Sequence, residues 1–95
     1  MRFEWDEAKS LSNLKKHRIS FELAAEVFSD PFCLTIPDQM VQGEPRFWTI
    51  GRIANLTVVL VVHTARDHDG DGIIRIVSAR KATPRERRFY EEIDH

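Results

Sequence analysis

The sequence has a single cysteine, Cys33, and therefore cannot form a disulfide bond within the chain. Folding without disulfides is typical of a reducing compartment, so we expect a cytoplasmic protein in which Cys33 is a small buried apolar group. Long hydrophobic runs are missing as well, because the longest, 58–62, is strand-sized, whereas a membrane-spanning helix needs about 20 residues. The first nine residues contain acids and no apolar stretch, so they do not indicate a secretory signal.

Metal-binding motifs are also missing, and we expect no cofactor. The four histidines show no HExxH or paired spacing, and one cysteine cannot build a zinc site. The segment 67–74 matches the start of an EF-hand calcium loop, but Ser78 stands where that loop requires its bidentate glutamate. A strand-like segment also precedes it, where an EF-hand has a helix. We therefore interpret 67–72 as an acidic hairpin turn, with calcium binding by Asp67, Asp69 and Asp71 as the alternative.

The order of the hydrophobic patterns predicts one α+β domain over residues 1–95. Helical spacing and the capping residues Asp6 and Ser20 predict two N-terminal helices, over 7–17 and 20–28, and a C-terminal helix is predicted to begin at Thr83 and Pro84. Alternating or continuous apolar patterns predict strands over 3–5, 33–36, 46–52, 57–64 and 73–79. Residues 37–45 are expected to form an irregular loop. Strands that follow helices and are joined by tight turns favour a mostly antiparallel sheet with the helices on one face.

The predicted helices carry recognisable faces. Ala8, Leu11, Leu14 and Lys15 lie on one side of the first helix at helical spacing. The second helix has a face that we expect to be buried, formed by Phe21, Ala24, Ala25 and Phe28. The third begins with a capping box, in which Thr83 accepts the amide of Glu86 while the Glu86 side chain reaches back to the amide of Thr83. Glu86 then shares a helix face with Phe89, Tyr90 and Ile93.

Basic residues are concentrated near the end of the chain. The net charge is −1, which alone says nothing about nucleic acid. Between positions 75 and 90, however, the only acid is Glu86, and the bases are Arg75, Arg80, Lys81, Arg85, Arg87 and Arg88. Such a local excess is able to hold phosphates, and the alternative is a solvated helix face.

A series of short motifs runs along nearly the whole chain in a definite order. It consists of F-x-W-D-x-x-K over 3–9, N-x-x-K-H over 13–17, I-x-F-x-x-A over 19–24, WTIGR over 48–52, VHT over 62–64 and IVSARKAT over 76–83, followed by Glu86-Arg87 and Tyr90. In order and spacing this series resembles the BrnT family of toxins. The resemblance implies a RelE-like fold, metal-independent RNA cleavage that inhibits translation, and a BrnA-like ribbon-helix-helix antitoxin as partner. DNA would then be contacted only through the antitoxin.

Metal-free RNA cleavage requires a base for the 2′-hydroxyl, an acid for the leaving oxygen and cations for the developing charge. We expect His63, at the solvent-facing end of a buried strand, to suit proton transfer, because its ordinary pKa is near neutrality. Arg80 and Lys81 precede the start of the last helix, where backbone amides also favour anions. Arg52 ends its own strand and is expected to converge with them. Glu44 is a weaker candidate for the base, because a loop glutamate usually faces solvent.

A second group of residues is expected to contact RNA without reacting. We expect Arg66, Arg85 and Arg88 to hold phosphates and Tyr90 to stack a base, although Tyr90 also suits the core. Trp5 and Trp48 are interpreted as core residues rather than stacking platforms. The alternative function is a non-catalytic module of the same fold that binds RNA or only the antitoxin. A wide separation of the four predicted catalytic residues would favour that alternative.

Overall fold

The computed structural model describes residues 1–68 and 71–93, including all side chains in that range except those of 67, 68 and 71. The strands are β1 (Arg2–Glu4), β2 (Leu34–Val41), β3 (Glu44–Arg52), β4 (Val58–His68) and β5 (Asp71–Lys81). The helices are α1 (Glu7–His17), α2 (Phe21–Ala24), which continues as a 3₁₀ helix over Ala25–Ser29, and α3 (Pro84–Ile93). The strands form one sheet in the order β1-β5-β4-β3-β2. Only β1 is parallel to its neighbour, so the predicted α+β class with a mostly antiparallel sheet is confirmed.

The main core lies between the sheet and the N-terminal helices. The central strand β4 contributes Val59 and Val61 to this core, and neither is exposed to solvent. Phe21 and Ala24 of α2 pack onto this side of the sheet, as expected, and so do the half-buried Phe28 and Cys33. Because β4 is apolar on both faces, burying it requires a second covering layer.

That second layer is α3, which packs on the opposite face of the sheet. Tyr90, 1% exposed, clusters with Ile50 and Val58, whose side chains alternate with those of the main core. The prediction that all helices lie on one face is therefore wrong. The predicted capping box is confirmed: Glu86 N donates to Thr83 Oγ1 at 3.2 Å, and Thr83 N donates to Glu86 Oε1 at 2.9 Å.

Helix α1 turns a polar side to the core and an apolar side to solvent. Its buried residues are Ser10 and Asn13, whereas Leu11 and Leu14 are 59% and 43% exposed. Asn13 Nδ2 donates to the carbonyl oxygens of Ile19 and Ala79, both at 2.8 Å, and Asn13 Oδ1 accepts the Ala79 amide at 3.2 Å. These bonds attach α1 to β5, because buried backbone groups need partners that a leucine cannot supply.

The predicted irregular loop over 37–45 is wrong, because most of it is paired strand. β2 and β3 form a hairpin that turns at Gln42 and Gly43, with φ values of 52° and 77°. Positive φ at both central residues is typical of a type I′ hairpin turn. The register shifts between Pro37 and Met40, and Pro37 is tolerated because β2 is an edge strand.

The acidic turn predicted over 67–72 is too long, because Asp67 pairs with Gly72 and His68 pairs with Asp71 as strand residues. Asp69, Gly70 and the side chains of 67, 68 and 71 lie outside what the structure describes. The strand β4 runs into it, where an EF-hand has a helix. Among the side chains that the structure describes, which exclude those of 67–71, no group of three or more His, Cys, Asp or Glu residues is arranged to hold a metal ion. None of the described helices is long and apolar enough to span a membrane.

Candidate functional site

Arginines from three neighbouring strands share the sheet face on which α3 packs. The register places Arg52 of β3 opposite Val58, and Arg80 of β5 opposite Leu60. Paired residues project to the same face, and residues two apart along a strand do likewise. The same rule adds the remaining members of this group, which we call the arginine face: Arg46, Arg52, Arg66, Arg75 and Arg80.

Buried polar atoms without partners lie on this face. Among the described residues, the buried side-chain nitrogen and oxygen atoms that lack a hydrogen bond are Arg46 Nε, Arg52 Nε and Thr64 Oγ1. Thr64 is 1% exposed and pairs with Arg75 in the β4–β5 register, which places it on the arginine face. Most buried polar groups in folded proteins are satisfied, so unsatisfied ones are often functional or await a ligand.

Arg80 is held at the start of α3 by a bidentate ion pair. Its Nη1 and Nη2 donate to Glu86 Oε1 and Oε2 at 2.7 and 3.0 Å. The hydrogen bonds from Arg80 lower the pKa of Glu86 to about 2, because they outweigh the partial burial that would raise it. The hydrogen bonds to Glu86 in turn raise the pKa of Arg80. The carboxylate that caps the helix therefore also orients the guanidinium, whose side chain remains 41% exposed.

Arg52 is positioned by Tyr90, Glu91 and Asp30. Its guanidinium lies 5.4 Å from the centre of the Tyr90 ring and pairs with Glu91 at 3.3 Å. Asp30 Oδ2 accepts the Arg52 amide at 2.8 Å and also the Tyr90 hydroxyl. Partial burial raises the pKa of Asp30, but these hydrogen bonds and that from Phe32 N outweigh it and lower the pKa overall. Burial and the Asp30 contact raise the pKa of Tyr90 to about 12.

The remaining arginines of the face differ in their partners. Arg66 and Arg75 share Glu4 of β1, with Arg75 Nη1 at 3.6 Å from Glu4 Oε1. Arg46 is half-buried and forms no ion pair with any residue that the structure describes. Arg46 was not predicted as a site residue, because its position on this face depends on the pairing of β3 with β4.

His63 lies on the other face of the sheet, and the prediction that it faces solvent is wrong. It is 2% exposed, because β4 continues past it and Phe28 and Phe47 cover the ring at 5.0 and 5.9 Å. Nδ1 donates to the carbonyl oxygen of Thr64 at 3.2 Å, so Nε2 accepts from the Thr49 hydroxyl at 2.7 Å. Burial lowers the pKa of His63, and the imidazole is neutral at pH 7.

The other predicted site residues are placed as follows. Lys81 pairs with Val59 and so projects to the face opposite Arg80. Arg85 lines a groove between α3 and the sheet, and Arg88 is exposed on α3. The buried Tyr90 ring cannot stack a base in this conformation. The structure therefore places Arg52, Arg66 and Arg80 on one sheet face, but Arg66 lies six residues along β4 from the partner of Arg80, or about 20 Å away. His63 and Lys81 project to the other face.

The fold and this surface together define a small α+β protein with a cationic sheet face beside a C-terminal helix. The family model described as "Ribonuclease toxin, BrnT, of type II toxin-antitoxin system" matches residues 5–86. The chain belongs to this family of ribonuclease toxins. The crystal structure of the Brucella abortus ribonuclease toxin, BrnT, is similar, with a TM-score of 0.59 and 22% sequence identity. The match covers 87% of this chain and 97% of that one, and at this identity it shows the fold alone. No curated protein sequence matches the chain.

Proposed function

We propose that the chain is a metal-independent endoribonuclease that cleaves RNA and so inhibits translation, with the arginine face as its RNA-binding surface. The observation that carries this proposal is that the unpartnered buried polar atoms of Arg46, Arg52 and Thr64 all lie on one cationic face. RNA phosphates supply the acceptor oxygens that arginine donors require, and arginine binds them in bidentate geometry. We further propose that the fold is RelE-like, as the resemblance of the sequence motifs implies. We also propose that the protein acts in the cytoplasm.

Arg52 and Arg80 supply the positive charge for the transition state. They lie on either side of β4, two strand spacings apart across the sheet and two residues apart along it, so that their backbones are about 12 Å apart. Because both side chains are long and point to the same face, they are able to contact one phosphate between them. Their acidic partners on α3 hold them in place, and such preorganised charge stabilises the developing phosphorane without reorganisation during the reaction.

The catalytic roles expected of His63 and Lys81 stay predictions. Both project away from the arginine face, which favours a structural role for the buried imidazole. His63→Asn separates the two roles when cleavage is measured per folded molecule. A structural role leaves cleavage per folded molecule close to wild type, whereas loss of proton transfer lowers it at least about 100-fold.

The proposal is tested by cleavage of a single-stranded RNA with purified chain in excess chelator. We expect cleavage to survive chelation, and Arg46→Ala to lower the rate at low RNA concentration by at least about 10-fold, because one charged hydrogen bond to RNA, worth about 1.5–3 kcal/mol, is lost. Arg87→Ala is the matched control, since it removes the same charge from an exposed position on α3. Loss of cleavage on chelation, with recovery in magnesium, contradicts the metal-independent mechanism. Equal effects of the two variants contradict the assignment of the arginine face.

A type II toxin implies an antitoxin partner, and we propose a BrnA-like ribbon-helix-helix protein that covers the arginine face. The charge of this face predicts that binding weakens as salt rises, because screening reduces charge pairing. Co-expression with the neighbouring open reading frame, followed by pull-down at low and high salt, measures this dependence. If no neighbouring gene product binds the chain or suppresses its toxicity, the toxin–antitoxin assignment fails for this chain.

The second candidate function is a non-catalytic module that binds RNA or only the antitoxin. It is favoured by the placement of His63 and Lys81 on the face opposite Arg52 and Arg80, since catalytic groups must reach a shared phosphate. RNA binding that depends on Arg46, together with no cleavage of any RNA, would support this candidate over the enzyme.

A further inference from the structure

A groove of about 310 Å³ lies between α3 and the arginine face of the sheet. Phe89 and Arg85 of α3 form one wall, and Trp48 of β3 with Ile36 of β2 forms the other. Ile50 and Glu86 also line it. We call this space the base groove. It is distinct from the main core, which occupies the opposite face of the sheet.

The walls of the base groove are aromatic, yet they are not packed against each other. Phe89 is 42% exposed, although it lies next to the fully buried Tyr90, and Trp48 is only half-buried. If the two rings belonged to the core, they would pack together and both would be buried. Open aromatic rings on either side of a slot are suited to a flat ligand, because ring faces stack on bases of any sequence.

The charges around the base groove indicate which flat ligand it accepts. Arg46 lies two residues from Trp48 on the same strand and face, and Arg85 is part of the lining. The one carboxylate among the lining residues, Glu86, is already paired with Arg80 and with the Thr83 amide. The surroundings therefore favour an anionic ligand with an aromatic part, and a nucleotide has both.

We infer that the base groove holds one unpaired nucleobase of a single-stranded RNA whose adjacent phosphates lie on the arginine face. This inference rests on the proposed function and specifies its substrate as RNA with at least one unstacked base. A base in a duplex is stacked on its neighbours and cannot enter the groove. The chain is therefore expected to bind single-stranded RNA in preference to duplex RNA of the same sequence.

Tryptophan fluorescence tests the inference, because the two tryptophans lie on different faces. Trp5 packs with Phe21 in the main core, so Trp5→Phe leaves Trp48 as the only tryptophan. The probe is a short single-stranded 2′-deoxy oligonucleotide, which lacks the hydroxyl required for cleavage. We expect it to quench the fluorescence of Trp5→Phe and to leave that of Trp48→Phe unchanged. An oligomer of the same length without bases is expected to bind without quenching.

A matched pair of variants measures the contribution of the aromatic wall. We expect Phe89→Ala to weaken oligonucleotide binding roughly 10-fold, a typical loss for one stacked base. Ile93→Ala removes an exposed apolar residue from the same helix outside the groove lining, and is expected to leave affinity unchanged.

The outcomes separate this inference from the proposed function. If the oligonucleotide binds in an Arg46-dependent way, without quenching of Trp48 and with full affinity in Phe89→Ala, the base groove is overturned while the RNA-binding face stands. If the antitoxin quenches Trp48 and the oligonucleotide does not, the groove is a protein-docking surface, and the inference is overturned. If the chain neither binds nor cleaves RNA, the proposed function fails, and the inference fails with it.

Discussion

Replacing Asn13 by alanine is expected to destabilise the protein more than replacing either neighbouring leucine of α1. The substitution removes three hydrogen bonds to backbone groups, two from Nδ2 and one to Oδ1, with the residues Ile19 and Ala79. A buried polar group left without a partner costs about 1–3 kcal/mol. Because water can satisfy some of the backbone groups that lose Asn13 as a partner, the free energy of unfolding should fall by about 3 kcal/mol. This is a large part of the 5–15 kcal/mol typical of a domain.

The matched comparison is Leu14→Ala on the same helix. Leu14 is 43% exposed, and fully burying a leucine side chain is worth about 1.5–3 kcal/mol. Its loss should therefore cost about 1 kcal/mol, reduced slightly because alanine favours helix. Ser12→Ala, at an exposed position, controls for helix propensity.

Urea denaturation followed by far-UV circular dichroism measures these differences. With a slope of about 1–3 kcal/mol per molar urea, the midpoint for Asn13→Ala should shift by at least about 1 M, and that for Leu14→Ala by less than half as much. If Leu14→Ala proves the more destabilising substitution, then α1 packs through its leucines, and the orientation described above is wrong.

The remaining predictions concern the arginine face and the sheet beneath it. Arg80→Ala should abolish toxicity in cells while the fold is retained, and growth arrest by a soluble Arg80→Ala protein would remove Arg80 from the site. Glu86→Gln should destabilise the protein at neutral pH. The pKa of Glu86 is lowered from 4.5 to about 2 in the folded protein, so the ionised carboxylate contributes to the free energy of unfolding above pH 4.5, and this contribution is lost as pH falls towards 2. Acid unfolding curves of the two proteins should therefore converge at low pH, and a constant gap would contradict the ion-pair origin. Gly51→Ala should lower the free energy of unfolding by about 1–3 kcal/mol, because the added Cβ would lie 2.9 Å from Val27 Cγ1. An unchanged midpoint of thermal unfolding would contradict this prediction and show that Val27 moves aside.

Local signals in the sequence predicted the elements whose formation depends on neighbouring residues. The capping box at Thr83 and Glu86 is confirmed because its two hydrogen bonds join residues three positions apart. The caps of the N-terminal helices are confirmed for the same reason: Asp6 accepts from Lys9 N, and Ser20 accepts from Leu23 N. The hairpin turn at Gln42 and Gly43 was not predicted, because a proline such as Pro37 indicates the end of a strand unless the strand lies at a sheet edge, as β2 does.

Side-chain environments, by contrast, were decided by tertiary contacts. The spacing of Leu11 and Leu14 marked an apolar side of α1, yet the bonds of Asn13 to Ala79 turn the opposite side inwards. The residues concerned are 66 positions apart, so no local pattern contains this information. His63 was expected at a strand end in solvent, but β4 runs further than its apolar core and Phe47 covers the ring.

The class of fold and the order of its elements follow from the amino-acid sequence, as does the number of arginines available to the site. It did not determine which arginines share a surface. Arg46, Arg52 and Arg80 lie on one face only because β3 and β5 pair with β4 in one particular register, and a shift of one residue would turn each strand's side chains to the other face. The register is set by the burial of the whole sheet between α3 and the N-terminal helices, and this is why the candidate site became visible only in the tertiary structure.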